Sequence, residues 1–402
     1  MTPRFVTRPL SDFTDQDHDL NDLAGNDGIL FVRNGVGFAG VGELARVALP
    51  DAMAHLKEAA NDSTVDAPGA AVMAIGWHPF SGSGGEAIIP KVCFGKAANG
   101  QAWVTFQPND EETVLRRLSS QITATSSPAN YNIRPGVSIE HYLEAVTRAR
   151  DAVRRGDITK AVIARDIFVD SSSPIDVNAL LKRLKASFGS SYRYSIDGFI
   201  GASPELLVER AGDVVRSLPL AGTCPRTGDP TTDARLASEL RSSKKNQIEH
   251  RVVIDMVHDT LLPHCSYLDW QPEPEVIAVA NVQHLGTSIE GRLSAPLASV
   301  IDLVHLLSPT PALGGHPREA ALRLISENEG IDRGRYGGGV GWVDASGNGT
   351  WAVAIRCAQL SSDRRTARLF AGGGIVADSE PNAELAETQA KFQAMLAAIV
   401  RP

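Results

Sequence analysis

The run 160-KAVIARD-166 sets one lysine at the head of an apolar, strand-like stretch. Alternation along a strand puts Lys160, Val162 and Ala164 on one face and Ala161, Ile163 and Arg165 on the other. A lysine at a strand edge ordinarily snorkels to water. A lysine drawn part-way out of water gives up its proton more readily and can serve as a base. Glu205, after the turn signal in 201-GASPELLVER-210, also has two readings. It is a solvated carboxylate or, in a closed pocket, a proton donor, because burial disfavours the charged form.

Acids gather on two helical stretches. In 245-KNQIEHRVV-253, Asn246, Glu249 and Val253 share a face at i, i+3 and i+7. In 380-EPNAELAETQAK-391, Glu384 and Glu387 are i and i+3, with Lys391 one turn further on. Carboxylates projecting from two helices suit a hard cation such as Mg²⁺, which takes oxygen ligands and keeps several waters. The same spacing also serves the helix macrodipole and ordinary Glu–Lys surface pairs. In 351-WAVAIRCA-358, alternation sets Arg356 on the face of Ala352, Ala354 and Ala358, placed for a bidentate grip on a carboxylate or for a structural ion pair. The glycines at 337–341 and 372–374 let backbone N–H groups approach an anion, although neither stretch continues into a P-loop or a GxGxxG turn, and a bulge or tight turn is the ordinary reading.

Such residues need elements to hold them. Tyr142, Ala145, Ala149 and Val153 fall at helical spacing, with Ser138 placed to cap the helix and Gly156 to stop it. The pattern predicts one long helix over 233–261, introduced by the turn 228-GDPTT-232. A last helix is predicted over roughly 381–400, with Pro381 near its first position. KAVIARDIFV, EVIAVANVQHL, GTWAVAIRCA and ARLFAGGGI read as strands. Residues 1–118 mix short apolar runs with Gly/Pro-rich joints, and 119–136 is a polar, turn-rich connection leading to the remainder, 137–402. Strands and helices interleave irregularly, so an α/β or α+β fold with a mixed sheet is expected rather than a doubly wound parallel one.

With 402 residues, 43% of them apolar and 21% charged, the chain can bury a large core as one large unit or two ordinary domains. A net charge of −8 argues against general nucleic-acid binding, and an anionic substrate would need a local cluster of cations or N–H groups. Cys93, Cys224, Cys265 and Cys357 are scattered, which fits neither a zinc site nor a disulfide framework, and Cys224 reads as a packing residue. There is no apolar signal core and no run near the roughly 18 residues of a membrane span, so a cytoplasmic protein without a membrane partner is expected.

Taken together, SPELLVER, PLAGT (219–223), KNQIEH, VQHLGT (282–287), PTPALGGHPREAAL (309–322), RYGGGVGWVD (335–344), WAVAIRCA and AGGGIVADSEPNAELAET (371–388) resemble the ordered motifs of the chorismate-utilising enzymes. That family includes isochorismate, salicylate, anthranilate and aminodeoxychorismate synthases. The resemblance runs from about 138 to 400. It implies one large chorismate-binding unit, similar to anthranilate synthase component I, with stacked mixed sheets flanked by helices around a buried cleft. Residues 1–118 would pack into that unit, and 137–402 would form its catalytic core.

The resemblance further implies Mg²⁺ at Glu249 and Glu387 with Glu384 in support, while Asn246 stands where many relatives have an acid. It implies Arg356 and Tyr336 on the substrate's pyruvyl carboxylate, and Gly372, Gly373 and Gly374 wrapped around it. Gly222 and Thr223 would form the wall near the ring, and His284, Ala312 and Lys391 would join the substrate site. Lys160 is similar to the lysine of the water-using members, so it would activate water for attack at C2 of chorismate while Glu205 protonates the departing C4 hydroxyl. Ala221, in place of a nucleophilic lysine, disfavours aminodeoxychorismate synthase. Lys160 disfavours anthranilate synthase, so no glutaminase partner is expected. Isochorismate synthase is the favoured reading, as a monomer or weak homodimer whose product could feed menaquinone, siderophore or salicylate pathways. Salicylate synthase, which tends to carry threonine at the position of Ala312, is the first alternative, and a non-catalytic chorismate-binding paralogue the second. Ser308 departs from the histidine usual in isochorismate synthases.

Overall fold

The computed structural model describes residues 4–120, 129–279 and 282–401; part of the expected connection 119–136 lies outside them. Within these residues, twenty strands join by backbone ladders into one continuous sheet, and three more, Leu220–Pro225, Glu275–Val279 and Val282–Gly286, form a small second sheet. Among the described residues, every pairing is antiparallel except that of Arg4–Pro9 with Ala60–Ser63. Helices flank these sheets in an α+β arrangement, and none of those described is long and apolar enough to cross a membrane.

The lysine-bearing strand, Lys160–Ser171, is the axis of the region that matters. Along one side it pairs with Thr366–Ile375, setting Val162 opposite Gly374 and Ala164 opposite Gly372. Among the described residues, its other side is paired with strands only at the two ends, by Tyr131–Pro135 against residues 167–171 and by Gly315–His316 against Ala161 and Lys160. The early part of the chain enters the same sheet. Ile29–Arg33 pairs with Tyr192–Ile196, and Met73–His78 pairs with Gly339–Asp344.

The helix Ile139–Arg155 is capped by the Ser138 hydroxyl, which accepts from the His141 amide, and it ends at Gly156 with φ +82°, in the left-handed region that glycine tolerates best. The expected single helix over 233–261 is instead two, Pro230–Ser242 and Lys244–Leu261. Ser243 between them is extended (φ −71°, ψ 111°), and its hydroxyl accepts from the Asn246 amide, so a serine inside a polar stretch starts a new helix. On this second helix Val253, Val257 and Leu261 are buried in one i, i+4 row. Each contributes about 1.5–3 kcal/mol by leaving water. Glu249 stands at the N-terminal end of that row.

The last helix, Pro381–Val400, has a buried row of Glu384, Thr388, Phe392, Met395 and Ile399. Glu384 is therefore drawn inward with its row. The expected strand through WAVAIRCA also breaks. Gly349–Val353 and Cys357–Leu360 are separate strands, and Arg356 lies in the bend between them with φ +51°. Arg356 is thus not held above an alanine floor by strand alternation. It is aimed by a backbone conformation that is uncommon for a residue with a Cβ.

Candidate active site

A cleft of about 720 Å³, open at its mouth, lies over the paired strands Lys160–Ser171 and Thr366–Ile375. Lys160 is 3% exposed at its base. The burial expected of this side chain is present, but so is a partner: Nζ donates to Glu249 Oε1 at 2.8 Å. Gly374 makes the pairing possible, since a Cβ there would sit 2.8 Å from Lys160 Cε and 3.1 Å from Glu249 Oε1.

Glu205 lines the same cleft from the break between the strands Phe199–Ser203 and Leu206–Ala211, and is also 3% exposed. Burial pushes its pKa up to about 8, against the smaller opposing pull of the Leu220 amide and the Lys160 and Arg356 charges. A carboxyl in that condition keeps its proton near neutral pH and can donate it.

Across the cleft stands a second cluster of polar side chains. Arg356 lines the cleft, and its Nη1 is buried with no hydrogen-bond partner among the described residues. Arg356 Nη2 lies 3.4 Å from His284 Nε2. His284 Nδ1 lies 3.2 Å from the Gly222 carbonyl and 3.1 Å from Thr223 Oγ1, and burial drives its pKa down to about 3. The ring is therefore neutral. With Nδ1–H donating to Gly222 O, Nε2 is left as an acceptor for the guanidinium. Tyr336 stacks on Phe370 with centroids 5.2 Å apart, and both line the wall.

Thirteen of the residues singled out in the sequence line this one cleft: Lys160, Glu205, Glu249 and Arg356 with Gly222, Thr223 and His284, and Ala312, Tyr336, Gly372 and Gly374 with Glu387 and Lys391. Gly373 and Glu384 do not. Alternation turns Gly373 to the far face of its strand, where a Cβ would meet Glu384 Oε2 at 2.7 Å. Of the three glutamates expected at a metal, two therefore face the cleft, Glu249 and Glu387, and among the described residues no group of three His, Cys, Asp or Glu side chains could hold a metal. Each of the two has a lysine: Glu249 has Lys160, and Glu387 has Lys391 at 2.5 Å, whose Nζ also donates to Gly372 O at 2.6 Å. Ser308 is buried away from the lining, its hydroxyl without a partner among the described residues. Asn246 packs against Gly222, where a Cβ would lie 3.2 Å from its own. Sequence reasoning missed Val162, Leu313 and Phe370 as wall residues, since apolar side chains carry no chemical signature.

Residues 78–400 match the family model described as chorismate binding enzyme. Isochorismate synthase DhbC of Bacillus subtilis (strain 168) is 40% identical over 280 residues, 67% of this chain and 70% of that one. Isochorismate synthase MenF of the same strain is 39% identical over 339 residues, 80% of this chain and 71% of that one. The solved structure of MenF, the menaquinone-specific isochorismate synthase of Escherichia coli, shares the fold, with a TM-score of 0.87 at 24% identity, covering 100% of this chain and 95% of that one. On the family match and these relatives, the chain belongs to the chorismate-binding enzymes.

Proposed function

We propose that this chain is an isochorismate synthase, converting chorismate to isochorismate. The observation that carries the reading is the joining, in one cleft, of a buried carboxyl that keeps its proton near neutral pH, a buried lysine, and an arginine with an unpartnered donor. Isomerisation needs those three functions. Lys160 takes a proton from water as the oxygen bonds to C2, the ring double bonds shift, and Glu205 protonates the hydroxyl leaving C4. One water adds and one departs, so the atoms balance. Arg356 and Tyr336 hold the pyruvyl carboxylate and fix the ring against the reacting water. Lys160 must part from Glu249 before it can act as the base.

Mg²⁺ fits the donor set: two carboxylates from separate helices face the cleft, leaving the remaining coordination positions for water and substrate. Glu249 and Glu387 would hold it, and bound there it would neutralise and orient a substrate carboxylate. Four free thiols and an acidic balance support a cytoplasmic enzyme. A monomer or weak homodimer with no glutaminase subunit is the assembly we propose.

The deciding experiment incubates purified protein with chorismate, with and without Mg²⁺, and separates the products by chromatography. A Mg²⁺-dependent mixture of chorismate and isochorismate is expected. Salicylate and pyruvate as main products would replace the reading with salicylate synthase. Chorismate left unchanged, yet raising the melting temperature, would make the chain a binding protein.

A further inference from the structure

The lysine strand has a gap in its pairing. Among the described residues, Val162 and Ala164 have no ladder partner on the side of its two short neighbours, although Val162 lines the cleft beside Lys160. The buried main-chain groups there still need partners. The Val162 amide donates to the Gly314 carbonyl at 3.0 Å. Two more are met by one side-chain pair: the Ala164 amide donates to Glu329 Oε1, and the Val162 carbonyl accepts from Arg333 Nη2 at 2.7 Å.

Glu329 and Arg333 are themselves joined twofold, Nε to Oε2 at 2.7 Å and Nη2 to Oε1 at 2.6 Å, and both side chains are 2% exposed. Arg333 Nη1 donates to the Leu313 carbonyl at 2.8 Å, and the guanidinium lies over the Phe80 ring at 4.1 Å. The Tyr336 amide donates to the Arg333 carbonyl at 2.9 Å. Val162, Leu313 and Tyr336 all line the cleft. A single rigid fork therefore ties the floor strand, two residues from Lys160, to the turn that carries Ala312 and to the segment that carries Tyr336.

We infer that Arg333, held in place by Glu329, is a positioning residue that sets the separation between Lys160 and the turn at Ala312–Leu313. Burying an ion pair is a poor way to gain stability, because an apolar pair of similar volume does as well or better. An apolar pair would leave Val162 O, Leu313 O and the Ala164 N–H unmet. A third strand could meet them, but it would occupy the path of the turn that walls the cleft. The pair takes the place of that strand. Lysine cannot replace Arg333, since its donors radiate from a point and cannot span two carbonyls in a plane.

This inference rests on the isochorismate synthase reading for its kinetic test. Arg333→Lys and the double variant Glu329→Gln/Arg333→Met are compared with wild type for melting temperature, kcat and KM on chorismate. The double variant removes both charges together and avoids stranding one. A folded protein with a melting temperature lowered by the unmet Val162 and Leu313 carbonyls, and with kcat at an assay temperature well below melting reduced about 10- to 100-fold while KM changes little, is expected from misplacement of reacting groups. Folded variants with wild-type kcat would overturn it. Hydrogen exchange on wild-type protein provides a check that does not depend on the variants folding. The Ala164 amide should exchange as slowly as its ladder-paired neighbours Ile163 and Arg165, and fast exchange at Ala164 alone would show that Glu329 does not serve as its partner. A wild-type protein that leaves chorismate unchanged would remove the functional reading, while the exchange result would still decide whether the bracket exists.

Discussion

Glu205 is the side chain on which pH acts most directly. Its pKa is raised from an ordinary 4.5 to about 8 by burial, so the folded chain holds that proton more tightly than the unfolded chain does. Its contribution to stability is therefore complete below about pH 4.5 and is lost as pH rises through about 8. Glu205→Gln should accordingly melt increasingly above wild type as pH is raised from neutrality toward 9. A general acid of this kind contributes roughly 10²–10⁴-fold, so the same variant should lose turnover on that scale, and wild-type activity should decline above about pH 8. Lys160→Ala should lose a comparable factor in kcat with its fold retained. Gly374→Ala separates position from presence. The added methyl meets the flexible ends of Lys160 and Glu249, so melting should change little while kcat falls, because the base is displaced but not removed. Lys160 and Glu205 were legible in the sequence because polar residues in apolar runs are conspicuous. The Glu329–Arg333 pair was not, since a Glu and an Arg at i and i+4 look the same on a solvated surface as in a sealed core.

At the level of elements, the helix that presents Glu249 owes its start to one serine. The break at Ser243 allows Lys244–Leu261 to take its own direction, with its buried row running into the cleft at Glu249. Ser243→Ala should destabilise the protein by about 0.5–1 kcal/mol in urea unfolding, at the low end for a cap because the contact is long at 3.4 Å. Helical periodicity showed the stretch to be helical but could not show the break, as a serine is acceptable both inside a helix and at its cap. The last helix offers the converse lesson. Spacing grouped Glu384 with Glu387, yet the buried row at 384, 388 and 392 carries the first behind the glycine strand, while Glu387 and Lys391 reach the cleft. Two side chains one turn apart straddle the edge of a sheet, and nothing in a lone sequence says where that edge falls. Arg356 was named from the alternation of WAVAIRCA and does line the cleft, but a bend at φ +51° delivers it there.

The molecule as a whole is interleaved along its sequence. Strands from the first 118 residues pair with strands near 192 and near 340, so neither portion owns a complete sheet. Residues 137–402 expressed alone should be inactive and prone to aggregate, since removal of their partner strands exposes unpaired edges. Co-expression with residues 1–136 should restore chorismate turnover if the two pieces meet before they aggregate. Recovery of full activity from 137–402 alone would show that the early strands are dispensable. The pairing of Lys160–Ser171 with Thr366–Ile375 has a consequence in time. During synthesis at roughly 5–20 residues per second, the lysine strand leaves the ribosome about 10–40 s before the glycine strand that lies beside it. For that interval the nascent chain carries Lys160 and Glu205 with no wall to hold them in place, and the strand that becomes the floor of the cleft is an open edge awaiting a neighbour. The cleft is thus among the last parts of the protein to form, and a chain released before Thr366 contains Lys160 and Glu205 without the cleft that joins them.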